Sequence, residues 1–200
     1  LPDSVDFVSI WGNWRDLSPE KKADLEYVQK VKGTRALLCF IVANIGDQLT
    51  PSDQTPQEYW GFSNDDEASI EAAIVKYANQ ICDTIDKYGY DGFDWDYEPN
   101  YGSRGNIAGQ PAREKVFVEA LSKRIGPNSG TGRMLVIDGE PQTVNSELGP
   151  LFDYFIVQAY SCTGDADLDG RLNRTIRNFD GVLEPEVVAK KYIVTENFEN

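Results

Sequence analysis

Residues Asp91–Pro99 have the sequence Asp-Gly-Phe-Asp-Trp-Asp-Tyr-Glu-Pro, with an acid at every second position from Asp94 to Glu98. Successive side chains of a β-strand point to opposite faces, so Asp94, Asp96 and Glu98 share one face, about 6.6 Å apart along the strand. A strand in a parallel sheet is normally apolar on both faces, and acids facing an interior are costly unless paired, hydrogen-bonded or protonated. Because such a cost is usually tolerated where chemistry is done, the segment predicts an active site on a buried strand.

The crowding of these carboxylates predicts that they titrate together. Like charges at short range raise at least one pKa, and a carboxyl with a raised pKa can act as a general acid near neutral pH. Glu98 is nearest the carboxyl end of the strand, where barrel active sites open, so it is the candidate proton donor. The alternative is that these acids lie on the solvent-exposed face of an antiparallel strand. The long amphipathic helix before this segment disfavours that alternative, because it indicates a parallel strand.

Apolar segments on both sides of this strand predict five further strands. They are expected at residues 5–11, 35–43, 134–138, 154–160 and 192–196. Helices are expected from Ser18-Pro19 to Gly33, over Glu67–Lys87, over Pro111–Ile125 and over Leu172–Phe179. A loop of roughly twenty residues follows the second strand, and loops of that length are more often functional than not. The alternation of strands and helices indicates a parallel α/β fold.

Length and motif content narrow this fold class to one architecture. The chain has 200 residues, of which 40% are apolar, and this suffices for one domain with a real core. Neither Gly-x-Gly-x-x-Gly nor a P-loop follows an early strand, which disfavours an open nucleotide-binding sheet. A complete eight-stranded barrel usually needs about 250 residues. We therefore predict a (β/α)8 TIM barrel that is incomplete in this chain, with six of its eight strands visible and residues 1–200 forming one domain.

The composition excludes several kinds of chemistry and partner. The chain has no His, which excludes Ser-His-Asp catalysis and zinc sites built on imidazole, and we expect neither a metal nor a cofactor. The net charge of -14 argues against binding to nucleic acid or to anionic membranes. No apolar run is long enough for a membrane-spanning helix.

Two further patterns have ordinary interpretations. The three Cys form no spacing motif, so we expect unpaired thiols. The segment Asp165-x-Asp167-x-Asp169-Gly170 resembles the start of an EF-hand loop, but Ile176 stands where that loop requires a bidentate Glu. We expect a solvated acidic loop there.

Besides the three acids, a pair of polar side chains lies at the end of the predicted strand 154–160. Gln158 and Tyr160 share one face of a buried strand, where hydrogen-bonding groups need partners. A substrate amide or hydroxyl would satisfy them. Hydrogen bonds to neighbouring strands are the alternative.

Residues 91–98 resemble the Asp-Gly-x-Asp-x-Asp-x-Glu signature of glycoside hydrolase family 18. That family contains chitinases and endo-β-N-acetylglucosaminidases on a TIM barrel. Gln158-Ala159-Tyr160 resembles the Gln-x-Tyr of the endo-β-N-acetylglucosaminidase branch, whereas chitinases typically carry Met-x-Tyr-Asp, and here Ser161 replaces that final Asp. The resemblance covers the whole chain and implies that its six strands are barrel strands two to seven, so residues 1–200 are expected to belong to one catalytic domain.

The resemblance implies retaining hydrolysis with help from the substrate, without an enzyme nucleophile. Glu98 would protonate the glycosidic oxygen and then activate water. The 2-acetamido carbonyl of the substrate would attack the anomeric carbon and give an oxazolinium ion. Asp96 would orient the acetamide N–H, while Tyr160 and Gln158 would hold its carbonyl. Asp94 would sit behind Asp96 and share a proton with it or set its pKa.

The resemblance also makes side chains near the barrel mouth candidates for sugar contacts. The candidate substrate-binding residues are Trp11, Asn44, Trp60, Tyr101, Glu140 and Glu196. Trp14 and Tyr59 are further rings that can stack on pyranose faces, although packing in the core is an equal alternative for each ring. Asp91 is expected to be structural.

Three functions remain open from the sequence. The first is hydrolysis of the β-1,4 bond between the two core N-acetylglucosamines of N-linked glycans. The second is a chitinase-type hydrolase of N-acetylglucosamine polymers. The third is a non-catalytic sugar-binding barrel, which the intact Glu98 disfavours, and Gln158 favours the first over the second. The partner in each case is a saccharide that contains N-acetylglucosamine. We expect a monomer and, by family habit, a secreted or cell-envelope protein.

Overall fold

The computed structural model describes residues 4–197 and contains one sheet of six strands. The strands are β1 Phe7–Ile10, β2 Arg35–Ile41, β3 Gly92–Tyr97, β4 Met134–Gly139, β5 Tyr154–Gln158 and β6 Tyr192–Thr195. They pair in chain order and every pair is parallel. Sequential parallel strands joined by helical crossovers curl into a barrel wall, and these six are three quarters of the eight strands of a (β/α)8 barrel. The predicted incomplete barrel is confirmed.

Six α-helices accompany the strands within residues 4–197. They are α1 Pro19–Tyr27, α2 Pro56–Trp60, α3 Glu67–Tyr88, α4 Pro111–Ser122, α5 Asp165–Asn178 and α6 Pro185–Lys191. Four of them have Pro at the first helical position, where its missing N–H costs nothing. A wider helical turn over Val28–Lys32 extends α1 to Gly33, as the sequence predicted.

Three helical features differ from the sequence-based expectations. The long loop contains α2, because the side chains and backbones of Thr55 and Glu58 form a capping box. Helix α5 begins at Asp165, well before the expected Leu172, because Asp165 and Asp167 are favourable in a first helical turn. The expected acidic loop over 165–170 is therefore wrong. The sequence analysis also missed α6.

The outer face of the sheet packs against the helices. The apolar stripe of α3 is buried there, as are Phe93, Trp95 and Tyr97 of β3. Trp95 lies 5.2 Å from the Phe117 ring of α4, and its Nε1 donates to the Val42 carbonyl at 3.0 Å. Since the aromatic residues of β3 face the helices, the acids that alternate with them face the inside of the barrel wall.

A smaller apolar layer lies on the inner face, below the acids. It contains Leu37, Met134, Val136 and Ile156, with Phe7, Tyr154 and Ile193 packed against them. The rings of Phe7 on β1 and Tyr154 on β5 stack at 5.6 Å, so distant strands meet across the concave side. This layer supports the carboxyl ends of the strands, where the polar side chains cluster.

The structure also bears on the thiols and on membrane spans. Cys39, Cys82 and Cys162 are free, as expected. Within residues 4–197, no helix combines the length and apolar character needed to cross a bilayer.

The Asp91-Gly92 pair fixes the start of β3. Asp91 Oδ2 accepts the Ala36 N–H at 2.8 Å and Gln29 Nε2 at 2.7 Å, so Asp91 has the structural role expected of it. A Cβ on Gly92 would lie 2.2 Å from the backbone carbonyl oxygen of Met134, in the neighbouring strand. Only glycine allows the two strands to approach so closely.

Gly92→Ala is expected to lower the free energy of unfolding by roughly 1–3 kcal/mol, because the new methyl group pushes β4 away from β3. Urea unfolding of the wild type and the variant measures this change. The matched control is Gly170→Ala on α5, where the nearest atom would be 3.7 Å away and Ala is the better helix former. Equal stability of Gly92→Ala and the wild type would contradict the close approach.

Candidate active site

Four carboxyl groups converge at the carboxyl end of the sheet. Asp94, Asp96 and Glu98 come from β3 and the residue after it, and Asp138 comes from β4, where it is in register with Asp96. Asp96, Glu98 and Asp138 line a cavity of about 560 Å³ on the inner side of the wall. Within the part of the chain that the structure describes, no three side chains are placed to hold a metal ion.

Asp94 is the most deeply buried of these acids. It is 1% exposed, and its Oδ2 accepts a hydrogen bond from the Ser9 hydroxyl of β1. Burial raises the pKa of Asp94, and the charge of Asp138 raises it further. The same surroundings raise the pKa of the neighbouring Cys39 thiol, which stays protonated. Asp94 therefore lies behind Asp96, where the two carboxyl groups can share one proton, rather than facing a ligand.

Asp96 lies one step closer to the opening. Burial raises its pKa to about 8, with further contributions from the charges of Glu98, Asp138 and Asp94. A hydrogen bond from Gln158 opposes part of this shift. Asp96 Oδ1 and Asp94 Oδ1 are buried without a hydrogen-bond partner among residues 4–197. A carboxyl of this kind is neutral at pH 7 in the free protein.

Glu98 stands at the rim, half-buried. Burial raises its pKa, and the charge of Glu140 raises it further, while Gln158 lowers it through a hydrogen bond. Glu98 lines the first cavity and also a second one of about 510 Å³. Gln158 and Tyr160 line both cavities as well. These three side chains therefore form the boundary between the two cavities. An elongated molecule that occupied both cavities would run past Glu98 at this boundary.

The end of β5 brings Gln158 and Tyr160 to this boundary. Gln158 Nε2 donates to Asp138 Oδ2 at 3.3 Å. Tyr160 is 46% exposed, and partial burial with the charges of Asp138, Asp96 and Glu98 raises the pKa of its hydroxyl, which stays a donor. Ser161 has a left-handed φ of 58°, and its N–H donates to Glu196 Oε1 at 3.3 Å. Just before this turn, Tyr160 lines both cavities.

Four of the six expected substrate-binding residues lie at these cavities. Trp11, which is 58% exposed, and Glu196 line the first cavity. Tyr101, which is 78% exposed, and Glu140 line the second. The carboxylate of Glu140 accepts from the backbone N–H of Asn100 at 2.8 Å and from its side chain at 3.0 Å, so both oxygens already have partners.

The structure does not bring the other two to the site. Trp60 is 3% exposed and packs on Tyr77, with its Nε1 donating to Thr50 Oγ1 at 2.9 Å. The expectation of a sugar contact by Trp60 is wrong, because the capped turn of α2 directs the ring into the core. Asn44 lines neither cavity, and its Oδ1 accepts the N–H of Asn106 at 3.0 Å, which holds a neighbouring loop.

Sequence reasoning missed two residues beside the site. Asp138 ends an apolar run, Met-Leu-Val-Ile-Asp, and that single acid after a buried strand was the available signal. Arg171 on α5 donates through Nη1 to the Gln158 carbonyl at 3.0 Å, and through Nε to Asp167 Oδ1 at 3.1 Å. The expected acidic loop concealed this contact, because the spacing of Asp167 and Arg171 pairs them only in a helix.

Asp96→Asn is expected to stabilise the protein increasingly as pH rises from about 4 to about 8. The folded-state pKa of Asp96 is about 8, whereas the unfolded value is about 3.9. The folded state therefore binds the proton more tightly, and wild-type stability falls as pH rises between these values. Asn is neutral throughout.

Melting temperatures of the wild type and of Asp96→Asn between pH 4 and pH 9 test this expectation. The difference between the two should be smallest at pH 4, where the unfolded-state carboxyl is still about half protonated, and should grow toward pH 8. A constant difference over the whole range would contradict the raised pKa.

Comparisons with known proteins agree with this geometry. The family model described as glycoside hydrolase family 18, BT1044-like, matches residues 1–200. Endo-beta-N-acetylglucosaminidase F2 of Elizabethkingia meningoseptica is 26% identical, over 96% of this chain and 50% of that protein. The solved structure of a selenomethionine BT1044 with a Glu-to-Gln substitution is 41% identical, with a TM-score of 0.85, over 100% of this chain and 60% of that one.

A fungal structure shares the fold at lower identity. It is a doubly substituted endo-beta-N-acetylglucosaminidase from Cordyceps militaris, in complex with fucosyl-N-acetylglucosamine-Asn. The identity is 20% and the TM-score 0.64, over 98% of this chain and 58% of that one. The chain thus spans between half and three fifths of the length of these relatives.

Proposed function

The chain belongs to glycoside hydrolase family 18, and we propose that it is the catalytic part of a retaining endo-β-N-acetylglucosaminidase. The bond cleaved is the β-1,4 linkage between the two core N-acetylglucosamines of N-linked glycans. The observation that carries this proposal is the position of Glu98, Gln158 and Tyr160 between two cavities. An acid at such a boundary is placed to cleave within a saccharide that extends to both sides.

Two lines of support favour N-glycans over other saccharides. The name of the Elizabethkingia relative and the ligand of the Cordyceps structure concern those proteins, and they direct the proposal to the glycan core. In this chain, Gln158 donates to Asp138 and occupies the position where chitinases typically have Met. An amide there provides a hydrogen-bond donor for an acetamide carbonyl.

Glu98 carries the proton that the leaving group requires. Burial and the charge of Glu140 raise its pKa, so Glu98 keeps its proton to a higher pH than an ordinary Glu. It donates this proton to the glycosidic oxygen as the bond to the anomeric carbon breaks. In the second half-reaction the Glu98 carboxylate accepts a proton from water.

The acetamide of the substrate replaces an enzyme nucleophile. Its carbonyl oxygen bonds to the anomeric carbon, and the nitrogen acquires positive charge in the resulting oxazolinium ion. Asp96 accepts the acetamide N–H and stabilises this charge once it transfers its proton toward Asp94, which is buried behind it. Water then attacks the same carbon from the leaving-group side, which restores the acetamide and retains the configuration.

The second group of residues holds the acetamide and the sugar rings. Gln158 and the Tyr160 hydroxyl fix the carbonyl in the attacking position, which is a proximity effect. Trp11 lines the first cavity and Tyr101 the second, and we assign to these exposed rings the stacking of sugars on the two sides of the cleaved bond. Glu196 offers a carboxylate for sugar hydroxyls in the first cavity, whereas Glu140 holds Asn100 beside the second.

Incubation with a high-mannose N-glycoprotein is expected to leave one N-acetylglucosamine on each modified Asn. Mass spectrometry of the protein and of the released glycan identifies the bond and the class of reaction together. Chitin oligomers serve as the competing substrate, and we expect no comparable turnover. Cleavage of chitin oligomers without release of N-glycans would favour the chitinase-type function, and binding without turnover would favour a sugar-binding barrel.

A further inference from the structure

Asp138 lies between the two strands that carry the proposed reaction. On one side it is in register with Asp96 of β3, and on the other side β4 pairs with β5, which carries Gln158. Its side chain lines the first cavity and a third one of about 420 Å³, which Asp94 also borders. Asp138 therefore lies beside the row of acids and is hydrogen-bonded to Gln158.

The Asp138 carboxylate determines how the Gln158 amide is oriented. Gln158 Nε2 donates to Asp138 Oδ2 at 3.3 Å. An ionised carboxylate only accepts hydrogen bonds, whereas the terminal amide of Gln has an NH2 group on one side and a carbonyl on the other. The reverse orientation would place the amide carbonyl oxygen against Asp138. Asp138 thus selects the orientation in which the NH2 group faces the acids.

We propose that Asp138 is a positioning residue that fixes the Gln158 amide, so that the NH2 group of Gln158 is held where it meets the acetamide carbonyl. This inference rests on the proposed function, because it explains how Gln158 holds that carbonyl during attack. Asp138 Oδ1 is buried and has no hydrogen-bond partner within residues 4–197, whereas Oδ2 accepts from Gln158 Nε2.

The expected kinetic effect falls on kcat. A freely rotating Gln158 amide still allows the sugar to bind in the cavities, but it holds the nucleophilic oxygen in the attacking position less often. Asp138→Ala should therefore lower kcat by roughly 10²-fold with little change in KM, as for other misplaced catalytic groups. Asp138→Asn keeps one acceptor oxygen for Gln158 Nε2 and should restore most of the lost kcat.

A double-mutant cycle tests whether Asp138 acts through Gln158. In a Gln158→Ala background there is no amide to hold, so Asp138→Ala should cost little more. The matched control is Asp153→Ala. Asp153 Oδ2 accepts the Leu135 N–H at 2.8 Å, near the end of β4 that is opposite Asp138. Loss of this hydrogen bond should lower the melting temperature and leave kcat unchanged.

Hydrolysis of a high-mannose N-glycoprotein and binding of N-acetylglucosamine-thiazoline, a stable analogue of the oxazoline, are the two readouts. If Asp138→Ala does not fold, Asp138→Asn takes its place in the cycle. In the protein that retains Gln158, the kcat of Asp138→Asn should stay near that of the wild type. Additive losses in the double variant, or an Asp138→Asn protein as slow as Asp138→Ala, overturn the assignment of Asp138. A wild type that neither cleaves nor binds overturns the proposed function, and this inference with it.

Discussion

Glu98→Gln is expected to lower the rate of N-glycan hydrolysis by roughly 10²–10⁴-fold, the range associated with loss of a general acid–base group. Gln is nearly isosteric with Glu but has no proton to donate to the glycosidic oxygen and cannot accept one from water. The side chain lies at the boundary of the two cavities, and the replacement leaves their shape unchanged. Glycan affinity should therefore stay close to that of the wild type.

Two measurements separate these expectations. Mass spectrometry of a treated glycoprotein follows hydrolysis, and titration calorimetry with the intact glycan follows binding. Glu147→Gln is the matched control, because Glu147 is exposed on the surface, away from both cavities, and pairs with Lys115 at 2.5 Å. Equal turnover by Glu98→Gln and the wild type would remove Glu98 from its proposed role.

The row of acids was predictable because its signal is local. The two-residue repeat of a strand, set beside a helix with a clear apolar stripe, suffices to place Asp94, Asp96 and Glu98 on one inner face. The structure has Phe93, Trp95 and Tyr97 on the helix side, as the alternation requires. No long-range information was needed.

Asp138 and Arg171 escaped prediction because their significance depends on register. Asp138 is opposite Asp96 only through the pairing of β3 with β4. Arg171 meets the Gln158 carbonyl only if α5 begins at Asp165, and the acidic residues there suggested a loop instead. Neither relation follows from the local sequence pattern.

Single aromatic residues were also ambiguous in the sequence. Trp11 and Trp60 both follow segments rich in β-forming or turn residues, and both were candidate sugar contacts. The structure exposes Trp11 at the cavity and buries Trp60 against Tyr77. What separates them is the packing of α2 against α3, which places Trp60 on Tyr77 and does not follow from composition.

Asp96→Asn is expected to slow hydrolysis by an amount comparable to other losses of transition-state stabilisation, roughly 10²–10³-fold. The neutral amide of Asn does not stabilise the positive charge that develops on the acetamide nitrogen. Asn can also turn its NH2 group toward the acetamide N–H, which misplaces the nucleophilic carbonyl. The loss should appear in the step that forms the oxazolinium ion.

The step affected by Asp96→Asn can be isolated with a preformed glycan oxazoline as the substrate. This compound enters the reaction after the affected step. The variant should therefore hydrolyse the oxazoline at a rate close to that of the wild type, although it hydrolyses the glycoprotein much more slowly than the wild type does. Asp153→Asn is the control, since Asp153 is also half-buried with a raised pKa but lies at the other end of the sheet. If Asp96→Asn hydrolyses the glycoprotein as fast as the wild type, the substrate does not supply the nucleophile in the way proposed. If both substrates are slowed equally, Asp96 acts on water attack or on folding, because a defect confined to oxazolinium formation cannot affect a substrate that already contains that ring.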